Sequence, residues 1–390
     1  MRSFGKWLGR FLLMAAVATL VMGVWKREEL MRLWAVNSLF EPDRIVANFS
    51  NMDRAFLHAP VGPKAVSATP LPQGPALTLP DGMAAFLAAH KTTSLVVLQN
   101  GSLVYEDYYL DTGPDDLRIG WSLSKSFVSA LMGVIVSQGH IPSLDAPVTD
   151  YAPQLQGGAY DGVSIRNVLN MATGVTFDED YLDYDSDINR MGRILALGGT
   201  MDAFASSLTD TFATPGSDWQ YVSIDTHVLG MVIRGATGRS ITDLMGQEIV
   251  APLGVERQPY YLTDGTGTAF VLGGLNMTSR DFARFGQMFL QRGAWQGDQI
   301  VPEDWVVAST EATAPTQPEE YGYGFQWWMP RDARPREYLG RGIYGQYLYI
   351  NEPSATVIVL TAADPDFRDR KIQDQHIAYF RAISAEAQSR

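Results

Sequence analysis

Ser122-Leu123-Ser124-Lys125 is the stretch of this sequence whose residue types and spacing best suit covalent catalysis. Residues three apart on a helix lie on one face, one turn apart, so a hydroxyl and an amine meet there. At a helix start the macrodipole favours negative charge developing on the serine oxygen. Burial would lower the pKa of Lys125. A neutral amine beside a hydroxyl is a general base, which makes serine a nucleophile without histidine. The spacing alone is permissive, because Ser3-x-x-Lys6 has it too. A capped helix with a solvated lysine head also satisfies it. Context favours chemistry at the second pair: SFVSALMGVIVSQG after Lys125 is uncharged and predicts a helix bound for the core. A lone lysine there needs a reason.

Two further pieces join the pair. Tyr221-Val222-Ser223 follows a Pro215-Gly216 turn and opens another apolar stretch, so its phenol could shuttle a proton beside Ser122. Packed aromatic is the plainer reading of that tyrosine. Gly340-Arg341-Gly342-Ile343-Tyr344-Gly345-Gln346 leads into a strand-like run, and its glycines allow close approach to a strand edge. A glycine-rich turn explains it equally. The chain contains no Walker loop, dinucleotide-binding glycine loop, H-E-x-x-H helix or G-x-S-x-G elbow. Its five histidines (58, 90, 140, 227 and 376) fit no nucleophile or ligand spacing.

Taken together and in this order, the pieces resemble the penicillin-recognising serine hydrolases, which include class C β-lactamases, D-alanyl-D-alanine carboxypeptidases, class VIII esterases and 6-aminohexanoate-dimer hydrolases. The family pattern is S-x-x-K, then Y-x-N or Y-x-S, then a K-T-G-like strand. WSLSKSFVSALMGVIVSQG, VSIRNVLNMATGV, PGSDWQYVSIDTHVLG, LGGLNMTSRDFARFG and GIYGQYLYINEP carry the likeness, which covers most of residues 85–365 and looks closest to the 6-aminohexanoate-dimer hydrolase and class VIII esterase branch. The resemblance implies a β-lactamase-like, transpeptidase-like α/β fold. It implies Ser122 as nucleophile, Lys125 as base, Tyr221 as proton relay, and Ser223 and Gly342 at the substrate. The backbone N–H groups of Ser122 and Ile343 would form the oxyanion hole. It also makes Tyr181 the tyrosine that contacts the scissile amide, and suggests Asn276 as a lining residue. For Asn276 a plain turn residue is the alternative. Chemistry of this kind needs no metal or cofactor. One departure stands out: the K-T-G lysine is replaced by Gly340, with Arg341 one place along.

Around Tyr181, Asp178, Glu179, Asp180, Asp183, Asp185 and Asp187 form an acidic stretch. It reads as a site for an amine-bearing substrate, as a solvated loop, or as a calcium loop. The last begins the right spacing but lacks the glycine and the distal glutamate.

The elements that must position these residues follow from pattern. Ser94–Gln99 and Leu103–Leu110 are strand-like and joined by Asn100-Gly101, a strong hairpin signal. Helical periodicity covers 81–90, 122–138, 165–171, 225–235, 240–250, 278–291 and 371–388. Strand character returns at 323–329, 346–350 and 356–361. Strands at both ends and helices between predict one antiparallel sheet assembled from both termini, with a helical region at about 122–310 inserted. Residues 81–390 form the expected hydrolase domain. Residues 26–80 are an extension whose six prolines between 60 and 80 predict a linker or surface strap without ladder pairing.

Composition narrows the partners. The chain has 390 residues, 46% hydrophobic, enough for a large core. A net charge of −13 argues against a phosphate backbone as partner, so no nucleic acid is expected. The absence of cysteine removes disulfides, zinc–thiolate sites and thiol nucleophiles. Arg2, Lys6 and Arg10 precede the 15-residue apolar run Phe11–Trp25. Residues 1–25 therefore read first as an uncleaved signal anchor, placing the protein on a membrane or exported. A cleaved signal, or a buried helix of a cytosolic protein, remains open at this point, because about 20 apolar residues are needed to span a bilayer comfortably. The expected function is a serine hydrolase acting on small esters or linear amides. Its rivals are β-lactamase or D-alanyl-D-alanine carboxypeptidase activity on the same site, and a non-catalytic membrane-anchored binding protein. The sequence does not specify an oligomeric state.

Overall fold

The computed structural model describes residues 2–64 and 68–388. Its frame is a seven-stranded antiparallel sheet built from both chain ends. The strands run in the order Ser102–Tyr108, Thr92–Gln99, Thr356–Ala362, Gln346–Asn351, Glu337–Gly342, Trp328–Met329 and Gly322–Tyr323. Asn100 and Gly101 turn the first hairpin with φ values of 50° and 77°, the left-handed conformation that this pair tolerates.

Alternation along each strand explains why the sheet is buried on both faces. Val96, Leu98, Leu348, Ile350, Val357 and Val359 face one apolar core shared with the inserted helices. Their neighbours Leu95, Val97, Tyr347, Tyr349, Ile358 and Leu360 face a second core. That second core is closed by the Met83–Ala89 and Arg370–Gln388 helices through Met83, Leu87, Ile377, Phe380 and Ile383. The two-sided covering is why these strands read as continuous apolar runs.

A second, four-stranded antiparallel sheet joins strands of the inserted region to two that precede it, in the order His58–Pro60, Tyr260–Leu262, Leu275–Met277 and Arg118–Ile119. Its last strand leads directly to Ser122. The expected helix 122–138 begins instead as a 3-10 turn, Trp121–Leu123, followed by the α-helix Ser124–Ser137. Trp121 stands at φ 46°, a left-handed conformation rarely adopted by a bulky residue and found mostly at functional sites.

Two expectations are corrected. The strand expected at 323–329 is two short strands, because Gln326 at φ 65° turns the chain between them. Pro60 does sit in a ladder: it ends an edge strand, where the missing N–H costs nothing. The part of the extension before the prolines packs into the body of the protein. Leu39, Ile45, Phe49, Met52 and Phe56 are buried in the main core. Buried Arg118 donates to Ser50 Oγ at 2.7 Å and to the Val46 carbonyl at 3.3 Å, fastening the extension to the strand before Ser122. The proline-rich part does lie as a strap, with Gly74 and Leu77 N–H donating to the Leu103 and Val104 carbonyls.

At the N-terminus, Arg2–Trp25 is a helix, followed by Arg27–Ser38. Phe11, Leu12, Leu13, Leu20, Val21 and Trp25 are exposed rather than packed in a core. Among the described residues, no single helix is long and apolar enough to cross a membrane.

Candidate active site

Lys125 is the centre of the site, and the fold dehydrates it. It lies one residue inside the apolar Ser124–Ser137 helix and is 2% exposed. Its Nζ donates to Ser122 Oγ at 3.1 Å, to Ser223 Oγ at 3.3 Å and to the Leu272 carbonyl at 2.7 Å. Burial lowers its pKa to about 7, against the opposing pull of the Glu179 and Asp225 carboxylates. The amine is therefore available in neutral form near neutral pH, and it is hydrogen-bonded to the hydroxyl that it would deprotonate.

The segment 262–277 clamps the nucleophile turn from behind. Leu275 accepts from Gly120 N–H at 2.8 Å, and its own N–H donates to Ser124 Oγ at 3.1 Å. The front is formed by the Glu337–Gly342 strand. A Cβ added at Gly342 would lie 2.4 Å from the Gly120 carbonyl, and one at Gly340 would lie 2.4 Å from Leu123 Cδ1. Only glycines let this strand close on the turn, which brings Ile343 beside Ser122. Tyr344, next along, is held at φ 58°.

Tyr221 stacks on Trp328 with ring centroids 5.2 Å apart, and Lys125 Nζ lies 5.3 Å from its own ring centre. Burial pushes the phenol up, while the Ser122 and Ser223 hydroxyls and Arg341 pull in the other direction. It is protonated at neutral pH and so equipped to give a proton. Ser223 opens the helix Ser223–Thr237, and its N–H donates to Glu179. Tyr181 Oη donates to the other oxygen of Glu179 at 2.9 Å. Burial raises the Glu179 carboxyl, and Lys125, Ser223 and Tyr181 act against that rise.

Two cavities meet at the nucleophile; Ser122, Tyr181 and Ile343 line both. One, of about 110 Å3, is apolar. The other, of about 270 Å3, holds Glu179, Tyr221, Arg341 and Arg368. The geometry can support acyl transfer: a nucleophile, a desolvated base and a proton donor lie together, with Ile343 lining the same two cavities.

Relatives agree with that chemistry. The chain matches the Beta-lactamase family over residues 83–381. It belongs to that family. It is 30% identical over 289 residues to a 6-aminohexanoate-dimer hydrolase of Paenarthrobacter ureafaciens, covering 70% of this chain and 73% of the relative. Esterase EstB of Burkholderia gladioli is 28% identical over 155 residues, 34% of this chain and 36% of that protein. The fold matches the solved structure of a Bacillus anthracis protein named for 6-aminohexanoate-dimer hydrolysis, with a TM-score of 0.79 at 24% identity, over 90% of this chain and 96% of that one. The protein is a serine hydrolase with the β-lactamase-like, transpeptidase-like α/β fold.

The structure brings Ser122, Lys125, Tyr221, Ser223, Tyr181, Gly342 and Ile343 together. Asn276 stands apart. It is fully buried in the small sheet, with Nδ2 turned to the Gly274 carbonyl, and it lines neither cavity. In the acidic stretch only Glu179 reaches the site; Asp180 pairs with Arg368 at 3.3 Å and Asp187 with Arg190 at 2.8 Å. Arg341, one place along from the missing family lysine, does face the charged cavity. Its guanidinium lies over Trp328 at 4.5 Å and donates to Gln373 at 3.0 Å. Sequence reasoning did not single out Glu179, Arg368 or the extension residues that wall the apolar cavity. Their positions depend on long-range packing that leaves no local spacing signal.

The glycine at 342 yields a direct check. Gly342→Ala should push the strand off the Ser122 turn and lower kcat on a nitrophenyl ester by about 10²–10³, the range for losing an oxyanion donor. Steady-state kinetics with a melting curve decides. An alanine variant that melts like wild type and stays within twofold in kcat would show that this contact does not position Ile343.

Proposed function

We propose that the protein hydrolyses small carboxylic esters, and more slowly linear amides, through an acyl-enzyme on Ser122. The observation that carries this reading is the buried, hydrogen-bonded Lys125–Ser122 pair with its lowered amine pKa. Ser122 Oγ bonds to the carbonyl carbon while its proton passes to Lys125 Nζ. The carbon–oxygen or carbon–nitrogen bond to the leaving group then breaks, and that group takes a proton delivered through Tyr221. Water, deprotonated by the same pair, attacks the acyl-enzyme. The carboxylic acid leaves and Ser122 regains its proton. The N–H groups of Ser122 and Ile343 hold the oxyanion in both halves. Esters rank first because their leaving group needs less help. The names of the two curated relatives support both bond types. Gly340 in place of the family lysine weighs against efficient β-lactam turnover.

The acidic limb of kcat/KM tests the role of Lys125. An amine base works only when neutral, so activity should rise with pH through about 7. The Glu179 charge stabilises the ammonium and raises that pKa against burial. Glu179→Gln should therefore move the limb to lower pH, besides any loss of rate. Lys125→Arg should be nearly inactive, because guanidinium does not deprotonate, and Ser122→Ala should lose several powers of ten. A Lys125→Arg enzyme near wild-type rate, or a Glu179→Gln limb moved to higher pH, would contradict the mechanism.

We also propose that the exposed apolar helix Arg2–Trp25 seats the protein in a lipid bilayer. The support is its row of exposed apolar side chains behind a basic start. Full-length protein should sediment with membranes, and deletion of residues 1–25 should release it. Full-length protein found wholly in the soluble fraction would overturn this.

A further inference from the structure

The two cavities at Ser122 differ in chemistry, and the difference orients the substrate. The apolar one is walled on one side by the N-terminal extension, through Val36, Leu39, Phe40, Met52 and Phe56. The Asp187–Leu197 helix adds Ile188, Met191, Gly192 and Leu195 to its lining. Among the described residues, no aspartate, glutamate, lysine, arginine or histidine lines it. Asn189 is its one amide side chain, and that amide is already committed to the Tyr181 and Asp183 carbonyls at 3.1 and 2.7 Å. The extension is locked over the site by aromatic contacts. Phe40 stacks on Tyr344 at 4.9 Å, and Phe49 meets Trp121 edge-on at 5.5 Å. Both partners adjoin the residues proposed to hold the oxyanion.

Tyr221 lines the charged cavity and not the apolar one. In the proposed mechanism Tyr221 delivers the proton to the leaving group, so the alcohol or amine departs on the charged side. The acyl chain is then left with the apolar side. We infer that the apolar cavity is the acyl pocket, that it takes an uncharged aliphatic acyl chain longer than acetyl, and that the N-terminal extension is a specificity element of the enzyme. This inference rests on the acyl-enzyme reading above. It sets the chain apart from a hydrolase of 6-aminohexanoyl groups: an ammonium at the end of the acyl chain would enter a cavity with no carboxylate to pair it.

Nitrophenyl acetate, butanoate, hexanoate and 6-aminohexanoate, turned over by the full-length chain, provide the test. Each methylene buried is expected to raise kcat/KM by up to about fourfold. Hexanoate should exceed acetate by more than tenfold, and should exceed 6-aminohexanoate by at least about tenfold. Gly192 is the place to fill the pocket, since a Cβ there meets no atom within 4 Å. Gly192→Leu should cut the hexanoate-to-acetate ratio at least tenfold. Met52→Ala, in the extension, should move the preferred chain length upward. Melting curves for both variants separate pocket effects from unfolding. Turnover of acetate with a flat chain-length profile overturns the acyl pocket alone, as does a 6-aminohexanoate rate equal to that of hexanoate. So does an unchanged ratio in a folded Gly192→Leu enzyme. If none of the esters is turned over, both the pocket and the acyl-enzyme reading fall.

Discussion

A lysine amine held out of water beside a serine hydroxyl is the constraint on which the rest of this structure depends. Burying an ammonium is costly unless it is paired, and the alternative is to give up the proton. Here Lys125 meets no carboxylate within salt-bridge distance among the described residues; its three hydrogen bonds go to two hydroxyls and a backbone carbonyl. Glu179 and Asp225 act on it through space and keep the amine from becoming neutral too far below physiological pH. The site thus balances two opposing effects on one group, and the balance puts the transition where a base is useful.

Much of the surrounding architecture maintains that dry environment. The Ser124–Ser137 helix is uncharged after Lys125, so nothing else on it draws water inward. The small sheet and the 262–277 segment close the back, and the Glu337–Gly342 strand closes the front through two glycines. Glu179 serves twice, as a charge near Lys125 and as an anchor for Ser223 N–H and Tyr181. Asp225 is itself held by Tyr160 at 2.6 Å and by Thr173. Left-handed residues flank both proposed oxyanion donors, Trp121 before Ser122 and Tyr344 after Ile343. The strain of these two turns is borne by the two sheets that meet there.

The sequence made the chemistry legible where it was local. Ser122 and Lys125 are one turn apart, Tyr221 and Ser223 are adjacent, and Asn100-Gly101 announces its hairpin. Less was readable where meaning came from contact. Glu179 was one acid among several, and only the fold shows it half-buried at the site while Asp180 and Asp187 turn to arginines. The Glu337–Gly342 strand carries two glycines and an arginine, a poor strand signal, because its task is close approach rather than side-chain packing. Asn276 looked well placed by its neighbourhood in sequence, yet its amide serves a strand turn at Gly274. The part of the extension before its prolines carries no such signal: its apolar residues follow no motif and gain meaning only as the wall of a cavity.

The ionisation of Lys125 itself is the most direct test of the account. The chain has six lysines, at positions 6, 26, 64, 91, 125 and 371, few enough to resolve by NMR of protein labelled with 13C at the lysine Cε. Assignment comes from the Lys125→Arg variant, which removes one resonance. This resonance is expected to titrate near 7, well below the ~10.4 of a free lysine. A Lys125 resonance that stays charged to pH 10 would contradict it, because the amine could not then accept the Ser122 proton at neutral pH.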